Sequence, residues 1–389
     1  MPAPAHPRPP ESRLRPVPSA RPVLVRLHRR VGLAFGLLLA SQGLTGSILV
    51  FQRQIDRVLN PALFRASGPA DPALGFTAVQ HLAEAATGQP AGTIRPPDAV
   101  WPVWVVQPER GQPGARTAYL DPATGAVLGL RDVSTSFVAV THQLHEALLL
   151  RPWGGHEAVG VLGLVLLGMA ASGLGLWWPR ANALRALVTL RHRPALLLNL
   201  DLHRLAGGWT ALVLLVLAFS GTVLVFRSWF GPPAGPAAPA TRSAAAPRRE
   251  PMRMDADSAV AAARAYLPGQ VVAGVIPPSG RRPVWTVALR PEGSDPEIRR
   301  RTEITLDPWS GPWSGVVLEE RGPRTRSAME EAIALQRWVH GGTLFGWPGR
   351  IAALLAGLAL PTLLATGLAA WLLRRRRRRR AASLYGEPA

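Results

Sequence analysis

The chain has 389 residues, a formal net charge of +20 and no cysteine. The missing cysteines exclude disulfides, thiolate-held iron–sulfur clusters, C-x-x-C-H haem attachment and cysteine nucleophiles. The charge does not mark a nucleic-acid partner, because the arginines gather at the ends of apolar runs, where membrane proteins place them to fix orientation.

Residues 1–22 are rich in Pro and Arg, have no apolar period and read as a disordered cytoplasmic tail. Segment 23–52 is the first membrane helix. Within it Val31–Phe51 runs 21 residues without a charge, and about 20 cross a hydrocarbon core. The run is too long for a signal-peptide core and has no small-x-small cleavage site, so it reads as an uncleaved span. Residues 53–135 form an outward domain with a helix at Thr77–Thr87 and strands at Val100–Gln107, Thr117–Leu120 and Ala126–Leu130. The turn Asp121-Pro-Ala-Thr-Gly125 separates the last two strands. Residues 136–179 hold a histidine-bearing segment and the second apolar run, Ala158–Trp178. A cytoplasmic loop, 180–201, precedes the third helix, 202–227, whose apolar run is Leu205–Phe226.

A Pro/Ala-rich linker, 228–251, leads to a second outward domain, 252–328. It repeats the first: helix Asp257–Tyr266, strands Val284–Leu289, Thr302–Leu306 and Val316–Leu318, and the turn Asp307-Pro-Trp-Ser-Gly311. Residues 329–373 carry another histidine segment and the fourth run, Ile351–Leu373, with Pro361 expected to kink it. An arginine-rich cytoplasmic tail, 374–389, closes the chain. Basic residues before run one, between runs two and three and after run four all fall on one side, so that side reads as cytoplasmic.

The chain is one unit written twice. With His28 laid on His203, Gly32 falls on Gly207, Gly46 on Gly221 and Phe51 on Phe226 without a gap. His145 precedes Gly173 by 28 residues and His340 precedes Gly367 by 27. His28 and His203 therefore lie at the inner ends of runs one and three, while His145 and His340 lie just before the outer ends of runs two and four. A membrane histidine is costly without a partner or a function. Two neutral imidazoles from facing helices can supply both axial ligands of a b-type haem, so the pattern predicts two haems, one near each face. Eighteen residues make five helical turns, which puts Gly46 on the face of His28, about 27 Å along the axis. A glycine there would let a flat macrocycle approach the backbone, and Gly221, Gly173 and Gly367 are read alike. His142 is an alternative to His145 as ligand, and His156 lies nearer run two. The bland alternative makes the histidines interfacial residues and the glycines packing contacts.

Leu27-His-Arg with Leu44-Thr-Gly46, Leu144-His-Glu-Ala-Leu148, Leu202-His-Arg with Ser220-Gly221, and Val339-His-Gly-Gly-Thr-Leu-Phe-Gly-Trp-Pro-Gly-Arg350 running to Thr366-Gly-Leu-Ala-Ala-Trp371 resemble the PepSY-associated transmembrane family. That family includes periplasmic ferric-siderophore reductases and iron-regulated membrane proteins. The two Leu-Asp-Pro-x-x-Gly turns are similar to PepSY domains. The resemblance implies an α-helical membrane protein: a four-helix transmembrane bundle with two small α+β PepSY-like periplasmic domains, internally duplicated, in the bacterial inner membrane. It implies two haem b groups, His28 and His203 on the inner one and His145 and His340 on the outer, with electrons passing to a periplasmic ferric chelate. No G-x-G-x-x-G follows a strand, so a separate cytoplasmic reductase or quinol is the expected donor. A competing expectation is a membrane-anchored PepSY binding or regulatory protein without haem. An inverted-repeat transporter fits less well, since both halves run the same way and no acidic residue lies inside an apolar run.

Overall fold

A computed structural model describes residues 21–69, 74–109, 111–177, 188–192, 194–230, 252–280, 282–294, 301–309 and 317–385. Nearly all of the expected tail 1–22, most of the linker 228–251, residues 180–187 and 193 of the loop 180–201 and the end of the Asp307–Gly311 turn lie outside the described residues. In chain order the first half comprises helices α1 (Arg21–Val50), α2 (Gln52–Leu59) and α3 (Phe76–Thr87). Strands β1 (Ala91–Arg95), β2 (Trp104–Pro108), β3 (Thr117–Leu120) and β4 (Val127–Arg131) follow, then helices α4 (Phe137–Ala147) and α5 (Gly155–Trp177). The second half comprises α6 (Ala195–Val225), α7 (Ala256–Tyr266), β5 (Gln270–Ile276), β6 (Trp285–Pro291), β7 (Thr302–Leu306), β8 (Val317–Arg321), α8 (Ala328–His340) and α9 (Gly346–Tyr385).

Four helices, α1, α5, α6 and α9, are long and apolar enough to cross a membrane. They extend beyond the apolar runs because the flanking Arg and Leu residues are good helix formers. Thus α6 starts ten residues before Leu205, and α9 continues through Arg374–Arg380, which are exposed. Small residues set the crossings. Gly43 and Ser47 of α1 meet Gly357 of α9, and Ser47 Oγ donates to the Leu354 carbonyl at 3.1 Å. The corresponding contact in the other pair puts Gly163 of α5 against Ala218 and Thr222 of α6. Pro361 leaves the Gly357 carbonyl without its helical donor, and that carbonyl faces Gly43. The helix runs through Pro361 unbroken.

Outside the bundle, the two strand sets form one antiparallel sheet in the order β4-β3-β2-β1-β5-β6-β7-β8. The sequence reading has two separate domains; the strands join them edge to edge, with Ile94 opposite Val275 at the seam. One sheet face packs under α3 and α7 in a continuous core that includes Phe76, Val79, Ile94, Trp104, Val275, Trp285, Val287 and Leu306. The two helices also cap each other: Asp257 of α7 accepts from the Phe76 and Thr77 amides of α3 at 2.7 and 3.2 Å, while Thr77 Oγ1 accepts from the Asp257 amide at 3.1 Å. In the first Asp-Pro turn, buried Asp121 accepts from the Ser67 amide (2.7 Å), Ser67 Oγ (2.9 Å) and the Ala123 amide (2.9 Å).

Several elements differ from the sequence expectation. Strands β1 and β5 are additional, because Gly92 and Gly274 dilute their strand signal and their pairing is tertiary. Strand β2 starts at Trp104 rather than Val100, since Pro102 precedes it and Asp98 folds back to bond the Val100 and Trp101 amides. Helix α2 is also additional; it follows the bend at Phe51, and its buried Asp56 accepts from Arg131 of β4 at 2.8 and 2.9 Å.

Candidate functional site

At the sheet-side end, α4 and α8 lay their last turns against the bundle. Ser136 and Ser327 start these helices: Ser136 Oγ accepts from the Ala139 amide at 3.2 Å, and Ser327 forms a reciprocal box with Glu330. Each helix ends close to its histidine. After α4, Leu148 and Leu149 both take left-handed backbone, where the second half has Gly342, and the chain turns into a 3-10 stretch, Arg151–Trp153, before α5. A second 3-10 stretch, Thr343–Phe345, separates α8 from α9, so the interruption falls just ahead of Trp347-Pro-Gly349, which is the first turn of α9.

The four equivalent histidines come together in two pairs. The rings of His28 and His203 have centres 6.4 Å apart and are mutually perpendicular. The rings of His145 and His340 have centres 6.0 Å apart with planes inclined at 43°. His142 is not part of either pair; its Nδ1 lies 3.2 Å from the Glu146 carboxylate, which Arg151 also contacts. His156 Nδ1 lies 3.2 Å from the Glu146 carbonyl.

The structure shows how each imidazole is held, and it gives each of the four glycines a histidine neighbour. Each of the four membrane helices presents a Ser/Thr-Gly dipeptide, and each dipeptide receives one histidine. Thr45 Oγ1 lies 2.9 Å from His145 Nδ1, Ser172 Oγ 2.8 Å from His28 Nδ1, Ser220 Oγ 3.2 Å from His340 Nδ1 and Thr366 Oγ1 3.0 Å from His203 Nδ1. The adjoining glycine accommodates the ring edge. A Cβ at Gly46, Gly221, Gly173 or Gly367 would stand 3.0, 2.8, 3.4 or 3.5 Å from the Cε1 of His145, His340, His28 or His203 respectively. The group against each glycine is therefore an imidazole edge.

This network fixes the tautomer. Each hydroxyl donates its proton to a carbonyl of its own helix: Thr45 to Ser41 (2.8 Å), Ser220 to Val216 (2.7 Å), Thr366 to Thr362 (2.7 Å) and Ser172 to Met169 (3.1 Å). With its proton so placed, the hydroxyl oxygen accepts from Nδ1–H. The Leu217 carbonyl, which can only accept, lies 2.9 Å from His340 Nδ1 and requires the same assignment. Nε2 then carries a free lone pair on every ring, the form that ligates a metal. Burial, with the nearby His340 and His142 adding to it, drives His145 down to about 3, and burial lowers His340 as well, so this pair stays neutral.

An imidazole nitrogen bonds a first-row metal at about 2 Å and the ring centre lies about 1 Å behind it, so two rings on opposite sides of one ion have centres about 6 Å apart. Both pairs match that spacing. Among the described residues no third His, Asp or Glu joins either pair to hold a bare ion. Two neutral donors on opposite sides suit a metal that brings its own equatorial ligands, and the donor set fits haem iron.

At the other end, Asp201 is buried two residues before His203 and is held by Arg191 at 2.7 and 2.8 Å, which ties the chain ahead of α6 to that helix. Of the arginines beside the histidines, Arg151 engages Glu146 and Arg204 lies 3.8 Å from Asp201, while Arg29 and Arg337 are exposed.

Four apolar helices in two equivalent pairs, joined by an antiparallel sheet made of two matching halves, define a duplicated multi-pass membrane protein. No curated protein matches the chain. A family description, PepSY-associated TM region, matches residues 25–374, nearly the whole chain; the chain belongs to that family and associates with the lipid bilayer through its four spans.

Proposed function

We propose that this chain is a di-haem b protein of the bacterial inner membrane, both termini cytoplasmic, that moves electrons from the cytoplasmic side to a periplasmic ferric siderophore or other ferric chelate. The observation that carries the reading is the two imidazole pairs, 6.4 and 6.0 Å between ring centres, at opposite ends of one bundle. His28 and His203 would hold the inner group, and His145 and His340 the outer one. One-electron chemistry at each face is what bound haem supplies.

The protein's own part is positional. Thr45, Ser172, Ser220 and Thr366 hold each Nδ1 and so keep each Nε2 unprotonated. The neighbouring glycines let the rings seat against the helix backbone. Apolar side chains of α5, α6 and α9, Ala170, Leu214, Ala356 and Leu360 among them, close the bundle between the two ends and exclude water. The exposed arginines that end α9 support a cytoplasmic assignment for that end. The donor would be a cytoplasmic reductase or quinol, and the acceptor class rests on the family resemblance.

Purified protein from haem-replete cells is expected to carry two haem b per chain, with a Soret band that shifts on dithionite. His203→Ala should remove one of the two and leave the other. A colourless preparation, or full haem content in that variant, refutes the proposal.

A further inference from the structure

The sheet's second face, turned away from α3 and α7, carries a cleft that the reading above leaves unused. It is a small cleft at the β1–β5 seam, with a cavity volume of about 40 Å3 and partly open to solvent. Among the described residues its charged lining is Arg53, Arg95, Arg290 and Arg301 with one carboxylate, Asp98. They come from four places: α2, β1, β6 and the start of β7. Alternation along the strands explains the convergence, since Ile94 and Leu289 enter the core under the helices and so Arg95 and Arg290 project to the other side.

Among the described residues the charges of the cleft do not balance. Asp98 is committed to Arg53, which reaches both its oxygens at 2.8 and 2.7 Å and stacks 4.5 Å over Trp101. Arg290 donates to the Ser294 carbonyl at 2.7 Å and Arg301 lies 3.0 Å from Glu303. Arg95 has no hydrogen bond or ion pair among the described residues, and the buried Nε of Arg53 has no partner. Burial, then the positive charges of Arg301 and Arg53, lower the Arg95 guanidinium to about 10, against a smaller opposite effect of Asp98. A half-buried guanidinium among three others is stable only with a counter-charge, and its planar fork matches an oxyanion.

The geometry points to an oxyanion-binding site at the seam between the two halves, built by Arg53, Arg95, Arg290 and Arg301, for a small molecule bearing two or more carboxylate or phosphate groups. A soluble anion and an anionic lipid headgroup share this chemistry. Arg53 lies in the first turn of α2, just past the bend at Phe51 that ends α1, so the site lies close to the outer end of the bundle.

The test uses the full chain in detergent and the probes citrate and pyrophosphate, with binding read by calorimetry at low and high salt. Saturable binding of at least one probe is expected, weaker at high salt. R95Q and R290Q should each weaken it about tenfold or more, the loss of one charge-assisted contact. R264Q, on the exposed side of α7, should leave it unchanged. R95Q removes a guanidinium that makes no hydrogen bond or ion pair among the described residues, so a thermal melt of that variant should show an intact fold. The same titration in phosphatidylcholine and phosphatidylglycerol nanodiscs separates the sources. Wild-type citrate binding that is weaker in phosphatidylglycerol than in phosphatidylcholine, with no such lipid difference left in R95Q, assigns the site to a headgroup; equal wild-type binding in the two lipids assigns it to a soluble anion. Failure of both probes to saturate, or wild-type binding by R95Q and R290Q, overturns the inference. None of these readings requires haem.

Discussion

Substituting alanine for each of the four clamp glycines gives a graded test of the histidine geometry. A Cβ at Gly221 would stand 2.8 Å from His340 Cε1, and ordinary contact begins at 3.4 Å, so the ring must move by at least 3.4 − 2.8 = 0.6 Å. At Gly46 the shortfall is 3.4 − 3.0 = 0.4 Å, whereas Gly173 and Gly367, at 3.4 and 3.5 Å, already leave room. A ligating constellation tolerates about 0.5 Å. His340 cannot withdraw freely, because Ser220 and the Leu217 carbonyl fix its Nδ1. Misplacing a ligand in this way typically costs about 10–100-fold in metal affinity. Gly221→Ala is expected to lose the outer haem, Gly46→Ala to lose part of it, and Gly173→Ala and Gly367→Ala to keep both. Alanine is the better helix former by about 1 kcal/mol, so loss at Gly221 is not a helix effect. Haem per chain and an optical redox titration read the outcome. If the inner variants lose as much as the outer ones, or Gly221→Ala loses nothing, the clamp argument fails.

Ser172→Ala should weaken the inner site more than Ser220→Ala weakens the outer, since His340 keeps a second acceptor in the Leu217 carbonyl and Ser172 is the acceptor shown for His28. Measuring haem retention on dilution compares them; equal loss contradicts the tautomer assignment. Asp121→Ala should destabilise the outward sheet by about 1–3 kcal/mol by leaving the Ser67 and Ala123 amides without their acceptor. A thermal melt unchanged from wild type would show that the buried turn carbonyls and water replace it.

Much of the frame was legible in the sequence because membrane spans and repeats are strong signals. The four apolar runs are four helices, and the offset that lays His28 on His203 also lays the Gly43 and Ser47 crossing on Ala218 and Thr222. The residue before each glycine carries a second signal. Thr45, Ser172, Ser220 and Thr366 all precede their glycines, and a hydroxyl one position from a bare backbone is a ready seat for an imidazole. Reading the glycine alone assigned it to a macrocycle. The seam between the halves had no local signature, since a single residue pair, Ile94 with Val275, joins strands 181 positions apart. The arginine cleft was hidden for the same reason: its members are scattered between Arg53 and Arg301, and only the fold makes them neighbours.

Helix α1 carries His28 for one end of the bundle and the Thr45-Gly46 seat for the other. The 17 residues from His28 to Thr45 therefore fix an angle as well as a length. A bilayer would accommodate one residue more or fewer by tilting the helix. The two ends would not, because each added residue turns one of them by about 100° relative to the other. Spacing in this segment is constrained by rotational phase: an insertion there that leaves membrane insertion and expression intact should still uncouple one histidine from its seat.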